Sequence, residues 1–311
     1  MAEKNIVIIG AGKVAFSLAA ALSKTGLHPS LVISKDLGSA KRLALEGKVI
    51  SKFSSNLNSI LKKPSLILLT VPDSQIGKTA RLLARQNLHH KNNTYVHFSG
   101  CLDLKPLSAL LKKGGNTGSF HIMQTFPSKD IVKIEKAFVG LEYSNPTTKK
   151  LLLKLASDLK LRPLEIPAGG KVYYHIAGVF ISNFLVSNFA MAEELFKYSG
   201  IKGAPAYKVF EPLLLTTVRN IKKYGVMNSF SGPMQRGDED TLKLHLSALE
   251  KRIKDEKTAI KTLLNYLNQT MAIGEFIRMR EGPNSGSKVR DLNLIKHLNP
   301  LTLFDYILKY P

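Results

Sequence analysis

Tryptophan is absent from the 311 residues, and cysteine occurs once, at Cys101. A lone cysteine cannot pair within its own chain, which excludes a disulfide scaffold and fits a reducing cytosol. No Cys/His spacing resembles a metal site, so no metal is expected. Acidic residues are scarce, 23 against 45 Lys and Arg, giving a net charge of +22. Long apolar runs are missing too. No stretch of about 18 uninterrupted apolar residues occurs, so no membrane span is expected. A strand by Ile6 leaves no room for a signal peptide, so a cytoplasmic protein is expected. The basic residues are spread as singles and pairs, without a long basic run or an aromatic-interleaved basic stretch. That pattern argues for a solvated surface and against nucleic acid as partner. The excess charge would instead attract anionic ligands.

What is present begins at residue 5. Ile6 to Ile9 is a run of four aliphatic residues, the pattern of a strand buried on both faces. Gly10-Ala11-Gly12 follows as a tight turn, and Val14 to Leu22 has helical composition. Strand, glycine turn and helix open a dinucleotide-binding βαβ unit. Gly10 permits the turn, Gly12 lets backbone approach a pyrophosphate, and Ala15 is small enough for close helix–strand packing. The helix start, with Lys13 and Val14, offers unpaired N–H groups to the anion. Leu31 to Ile33 reads as the second strand. NAD-binding units usually place Asp or Glu after it; here Ser34 and Lys35 stand there, suited to a 2′-phosphate, so NADP(H) is the expected cofactor. Asp36 lies one residue past the lysine.

Ser65 to Val71 reads as a further buried strand, stopped by Pro72. Thr94 to Phe98 is a strand ending at Ser99-Gly100. Gly118 to Phe120 precedes His121, Phe138 to Tyr143 and Pro163 to Ile166 complete the sheet, and Thr147 to Leu159 has helical periodicity. The breaker cluster Pro167-Ala-Gly-Gly170 sets the expected boundary. The expected architecture is α/β: a Rossmann-type doubly wound, mostly parallel sheet over 1–167, then an all-α domain over 168–311. In the second half, Lys171 to Tyr198 reads as one long buried helix, with Ser182, Asn183, Ser187 and Asn188 arguing against a membrane span. Pro205 to Tyr224 gives another helix, and Thr241 to Met271 a long helix or a pair. Residues 282 to 291 are polar, and Leu292 to Tyr310 is an apolar and basic segment of unread role.

The motifs Gly10 to Ala15, Val71-Pro-Asp73, His97-Phe-Ser-Gly100, Gly118-Ser-Phe-His121 with Gln124-Thr-Phe126, Tyr174-His175 with Ser182-Asn-Phe184, and Gly232 to Asp238 with Thr241 and His245 occur in order. With them the chain resembles the 6-phosphogluconate dehydrogenase-like superfamily, which includes ketopantoate reductase, pyrroline-5-carboxylate reductase and prephenate dehydrogenase. More closely it resembles a family of Rossmann-like oxidoreductases whose helical C-terminal domain was long of unknown function. The resemblance implies reduction of a small carboxylate substrate by NADPH, ketopantoate foremost, and a homodimer. It implies a proton donor on the first long helix after the sheet, often Lys with Asn one or two turns on. That helix offers His175 and Asn183, eight residues apart and so roughly on one face, with Lys171 as the fallback donor. His121 looks like the histidine of the prephenate dehydrogenase His-Pro loop. His97, inside a strand, reads as core.

Further candidates are Val71, Pro72 and Ser99 at strand ends for the cofactor, and Arg236, Asp238 and Thr241 for the substrate. A planar guanidinium suits a carboxylate. Asp238 or Asp240 reads equally well as a helix N-cap. The alternatives are an imine reductase of the pyrroline-carboxylate type and a non-catalytic NADP(H)-binding regulator.

Overall fold

A computed structural model describes residues 5–46, 52–255 and 259–282. The segment from 283 onward, including the apolar and basic tail, lies outside them. The first half runs β1 (Asn5–Ile9), α1 (Lys13–Lys24), β2 (Leu31–Ile33), α2 (Leu37–Glu46), β3 (Lys52–Ser54), β4 (Ser65–Leu69), α3 (Asp73–Ala84), β5 (Thr94–His97), α4 (Ser108–Lys112), β6 (Asn116–Ile122), β7 (Phe138–Tyr143), α5 (Pro146–Asp158) and β8 (Arg162–Glu165). Eight strands form one sheet in the order β3-β2-β1-β4-β5-β6-β7-β8. All neighbours are parallel except β6 and β7, which are antiparallel with His121 opposite Gly140. This is the expected Rossmann-type architecture, with β3 added.

β1 and β4 are aliphatic after their first residue because helices cover both faces. One face carries Ile6, Ile8, Leu66, Leu68 and Phe120 against α1 and α5; the other carries Val7, Ile9, Ile67, Leu69 and Tyr95 against α3 and α4. The chain then continues as α6 (Lys171–Ile181), α7 (Asn183–Tyr198), α8 (Ala206–Tyr224), α9 (Pro233–Arg236), α10 (Glu239–Asp255) and α11 (Ala259–Glu281). Two compact units result, Met1–Leu185 and Val186–Pro311. The division falls one helix beyond Pro167, because α6 packs on the sheet. The second unit has its own core of Met234, Leu242, Leu246, Leu249, Leu263, Leu267 and Ile277.

The stretch from Lys171 to Tyr198 corrects two expectations. It is two helices, broken at Ser182, whose backbone leaves helical geometry at φ −110°, ψ −69°. It is also exposed rather than buried: Lys171 is the only buried residue of α6, and α7 has none. Ile181, Val186 and Phe180 are 78%, 68% and 62% exposed, so the apolar composition reflects a surface left uncovered among the described residues. By length and composition alone this stretch is also apolar enough to cross a membrane. Ser182, Asn183, Ser187 and Asn188 interrupt it.

Gly10 is held at φ +107°, where a side chain is strained. A Cβ there would stand 2.7 Å from the carbonyl carbon and oxygen of Thr70. Strain and backbone overlap together predict that Gly10→Ala loses about 2–4 kcal/mol of stability. A urea midpoint unchanged by the substitution would show the turn to be looser than this.

Candidate active site

The glycine turn is built as its sequence promises. Gly10 N–H donates to Ile33 O (2.7 Å), and Thr70 Oγ1 donates to Gly10 O (2.8 Å), which ties the turn to β2 and β4. Gly12 is the N-cap of α1 and supplies no side-chain oxygen to the helix start. The first N–H groups of α1 are therefore left for an outside acceptor. Ala11 and Ala15 are buried, Lys13 is exposed and Val14 is half-buried.

Beside this turn lies a cleft of about 590 Å³. Gly10, Ser34, Lys35, Val71 and Pro72 line it, five of the residues expected to hold a cofactor. Asn56, Asn58, Gln75 and Thr79 add polar edges, and Ile9, Ile33, Leu57 and Leu82 add apolar walls. A backbone turn with free N–H groups, a hydroxyl, a cation and apolar walls is a donor set that fits a phosphorylated dinucleotide. Asp36 does not oppose it. Its carboxylate accepts from Gly38 N–H (3.0 Å) and from Ser39 Oγ, which caps α2 and pulls its pKa down.

A second group of side chains gathers where β5 and β6 meet α6. Lys171 is 2% exposed; its Nζ donates to Ser119 Oγ and lies 2.9 Å from Glu142 Oε2. Burial lowers its pKa, against the pull of Glu142. One turn further along α6, the Tyr174 hydroxyl lies 3.2 Å from His121 Nδ1. His175 sets its ring edge-on to His121, centroids 6.0 Å apart. The two rings converge on Gly100. A Cβ built there would stand 2.5 Å from His175 Nδ1 and 2.7 Å from His121 Nε2. His121 also lines a small cavity of about 70 Å³ with Val14, Phe98, Ile122, Gln124 and Phe126, which joins it to the first turn of α1.

Two histidines here, His121 and His97, are held below their ordinary pKa. Burial, then the charges of Lys171 and His175, push His121 down to about 4. Burial, then Lys171, pushes His97 down to about 3. His97 is fully buried, with Nε2 3.0 Å from Asp103 O and Nδ1 accepting from Ser99 N–H (3.2 Å), which agrees with its reading as core.

The remaining candidates are placed as follows. Ser99 Oγ donates to Asp73 Oδ2 (2.6 Å) and accepts from Cys101 N–H and Leu102 N–H, so its hydroxyl organises the loop after β5. Asn183 is exposed at the start of α7, and the break at Ser182 separates it from the helix that carries His175. The one-face spacing drawn from an unbroken helix therefore does not apply to it. Lys171 is no surface lysine, as its burial shows. In the second unit, Asp238 caps α10: its carboxylate accepts from Thr241 N–H (3.1 Å) and Thr241 Oγ1 (2.8 Å). Arg236 lies 3.7 Å from the same carboxylate with its side chain 60% exposed. Among the described residues no cluster of His, Cys, Asp and Glu could hold a metal. Sequence reasoning did not single out Gly100, Glu142, Ser119 or Tyr174 as parts of a site, although Tyr174 stands beside His175 in a motif that drew notice.

The depressed histidines carry a stability consequence. Below its ordinary value of 6.5 an unfolded histidine binds a proton that the folded ring refuses. Folded stability therefore falls as pH drops from about 6.5 toward 4, by about 1.4 kcal/mol per pH unit for each ring. Urea midpoints measured between pH 7.5 and pH 4.5 should fall less steeply in His97→Gln/His121→Gln than in the wild type. Parallel slopes would remove the histidines as the cause.

Comparison with known proteins agrees with this construction. A Rossmann-like domain model matches residues 1–121, and the model of a domain of unknown function, DUF2520, matches residues 137–270. A Bacteroides fragilis protein, described as a candidate NADP oxidoreductase, is 25% identical with a TM-score of 0.72, over 88% of this chain and 99% of that one. A Thermotoga maritima protein is 23% identical with a TM-score of 0.65, over 89% and 100%. A reductive aminase of Aspergillus terreus, solved with NADPH and ethyl-5-oxohexanoate, shares the fold at 15% identity and a TM-score of 0.59, over 95% and 99%. A search of curated proteins finds no match. The chain is thus similar to a Rossmann-like domain over residues 1–121 and to DUF2520 over residues 137–270, and it shares its fold with these solved structures.

Proposed function

We propose that this chain is an NADPH-dependent reductase of a small 2-keto acid, with ketopantoate as the leading substrate. The observation that carries the cofactor half is the single cleft lined by Gly10, Ser34, Lys35, Val71 and Pro72. The Bacteroides fragilis relative, with its NADP oxidoreductase description, and the NADPH complex of the Aspergillus terreus enzyme support the same choice. When bound, NADPH supplies the hydride.

The chain's own part is to bind, orient and protonate. Ser34 and Lys35 meet a 2′-phosphate without an opposing carboxylate, since Asp36 is committed to α2. His175 and His121 set ring nitrogens side by side against Gly100. His175 there would give a proton to a substrate carbonyl oxygen, and bound NADPH would supply the hydride to the carbonyl carbon. Lys171, whose ammonium is bonded to Glu142 and Ser119, is the second candidate for the donor. In the second unit, Arg236 is an exposed, planar guanidinium of the kind that suits a carboxylate, with Asp238 and Thr241 holding the turn in front of α10.

The exposed apolar face of α7 and α8 supports a homodimer. Leu195, Tyr198, Leu213, Val218 and Ile221 are each at least 40% exposed. A second copy is the occupant that fits, because Asn188, Glu193 and Glu194 interrupt the face and would be costly in lipid. Light scattering on the purified chain should give twice the 34.3 kDa chain mass. A monomer, or a chain that partitions into detergent, would overturn the dimer.

Turnover is tested by following NADPH oxidation with ketopantoate, other keto acids and cyclic imines, with NADH alongside. Ketopantoate should turn over with NADPH preferred, and Lys35→Asp should reverse the preference by about tenfold or more, since it brings a carboxylate to the 2′-phosphate. Faster turnover of cyclic imines would move the substrate to the imine class. NADPH binding without turnover on the whole panel would leave a regulator.

A further inference from the structure

Ser34, Lys35 and Asp36 follow β2 in sequence, yet only the first two line the cofactor cleft. An acid in this segment would ordinarily accept from a ribose 2′-OH and repel a 2′-phosphate. Both oxygens of Asp36 are spent elsewhere. Oδ1 accepts from Gly38 N–H (3.0 Å) and Oδ2 from Ser39 Oγ (2.5 Å). The hydrogen bond from Ser39 is the largest cause holding this carboxyl below its ordinary range. Ser39 is in turn held from a distant part of the chain. Lys129 Nζ lies 2.8 Å from Ser39 Oγ, across 90 residues of sequence.

The direction of these bonds follows from the groups themselves. An ammonium can only donate, so Ser39 Oγ accepts from Lys129. A hydroxyl has one proton, and an ionised carboxylate can only accept, so that proton goes to Asp36. Lys129 thereby fixes the way the Ser39 hydroxyl points. The lysine is itself held in place. Its Nζ stands 5.9 Å from the centroid of the Phe16 ring on α1. Its loop, between β6 and β7, is pinned to α1 where Val132 N–H donates to Ser17 Oγ (2.9 Å), and Ile134 enters the core just after.

We propose that Lys129 is a positioning residue that helps decide coenzyme choice: through Ser39 it holds the Asp36 carboxylate on the start of α2, so that a ribose in the cleft meets Ser34 and Lys35 and not the acid beside them. The loop between β6 and β7 then shares control of the coenzyme with the segment after β2. Without Lys129 the Ser39 hydroxyl is free to turn and Asp36 Oδ2 loses its fixed donor. A carboxylate oxygen two residues past Ser34 then becomes available to a ribose 2′-OH. The inference rests on the NADPH reading of the cleft and on no particular substrate.

The experiment measures Kd of the full chain for NADPH and for NADH by nicotinamide fluorescence, which needs no turnover. Lys129→Met keeps a long stem beside Phe16 and removes the donor. Ser39→Ala removes the link and keeps every charge. Each should lower the preference for NADPH, read as the ratio of the two Kd values, by about fivefold. Part of that change should be tighter binding of NADH. Loss of a favourable field alone would weaken NADPH only and would spare Ser39→Ala. In an Asp36→Asn background neither substitution should change the ratio, because the carboxylate they release is gone. Thermal melting reports that each variant is folded. A ratio unchanged in Ser39→Ala overturns the inference, as does a fall in Lys129→Met that is equally large in the Asp36→Asn background. A folded wild type that binds neither nucleotide would instead overturn the NADPH reading of the cleft, and the inference with it.

Discussion

The site hangs on one buried ion pair, Lys171 with Glu142. A lysine ammonium in a protein interior costs several kcal/mol unless a counter-charge and further hydrogen bonds meet it. Glu142 on β7 and Ser119 on β6 provide both. Because these partners sit on adjacent strands, the contact fixes the first turn of α6 to the antiparallel β6–β7 pair. Tyr174 and His175 follow three and four residues later, so one turn of helix carries them onto the face that Lys171 has docked. Removing Glu142 would leave the ammonium without its partner, and α6 would be the element to yield. Lys171, the lysine to which the superfamily resemblance points, holds the first turn of α6 to the sheet through Glu142 and Ser119.

The same charge bears on two nearby histidines, His121 and His97. His121 and His97 are desolvated, and Lys171 adds to the cost of protonating either. A histidine kept neutral can donate or accept but does not exchange a proton near neutrality, which separates His121 from the usual acid–base role. Two glycines make the arrangement sterically possible. Gly100 lets both ring nitrogens pack where a side chain would stand, and Gly140 admits the tip of Tyr174. Neither needs an unusual backbone angle, so their value lies in absent side chains rather than in conformational freedom.

Legibility in the sequence followed the range of the interactions. β1, β2, β4 and the glycine turn were readable because aliphatic runs and fingerprint glycines are local signals. β3 escaped notice because Lys52-Phe-Ser54 is a three-residue edge strand with two exposed residues and no aliphatic run. Asn56 and Asn58, which edge the cofactor cleft just after it, went unread with it. His121 and His175 were readable as residue types, but their meeting was not. It depends on the β6–β7 register and on the docking of α6, both long-range. Tyr174 reads as packing in an apolar helix, and Lys171, at a helix start in a lysine-rich chain, reads as surface. The apolar stretch around Ser182 was taken as buried because composition reports that a surface needs cover, not that the same chain supplies it.

Charge placement around α2 shows why a nearby carboxylate need not specify a free ribose hydroxyl. Asp36 stands three residues past Ile33, close to where an NAD-type acidic residue is sought. Its oxygens are turned to the start of α2, bonded to Gly38 N–H and to Ser39 Oγ. Ser39 in turn accepts from Lys129 Nζ at 2.8 Å, and Lys129 and Arg42 both stand over the Phe16 ring, at 5.9 and 5.3 Å. The carboxylate is thus spent on a helix cap among cations, while Ser34 and Lys35 line the cleft itself. Helix capping and cofactor choice compete for the same short segment, and the residue that caps cannot also read the ribose. What remains facing the ligand is a hydroxyl and an ammonium, which together favour a phosphate over a bare hydroxyl.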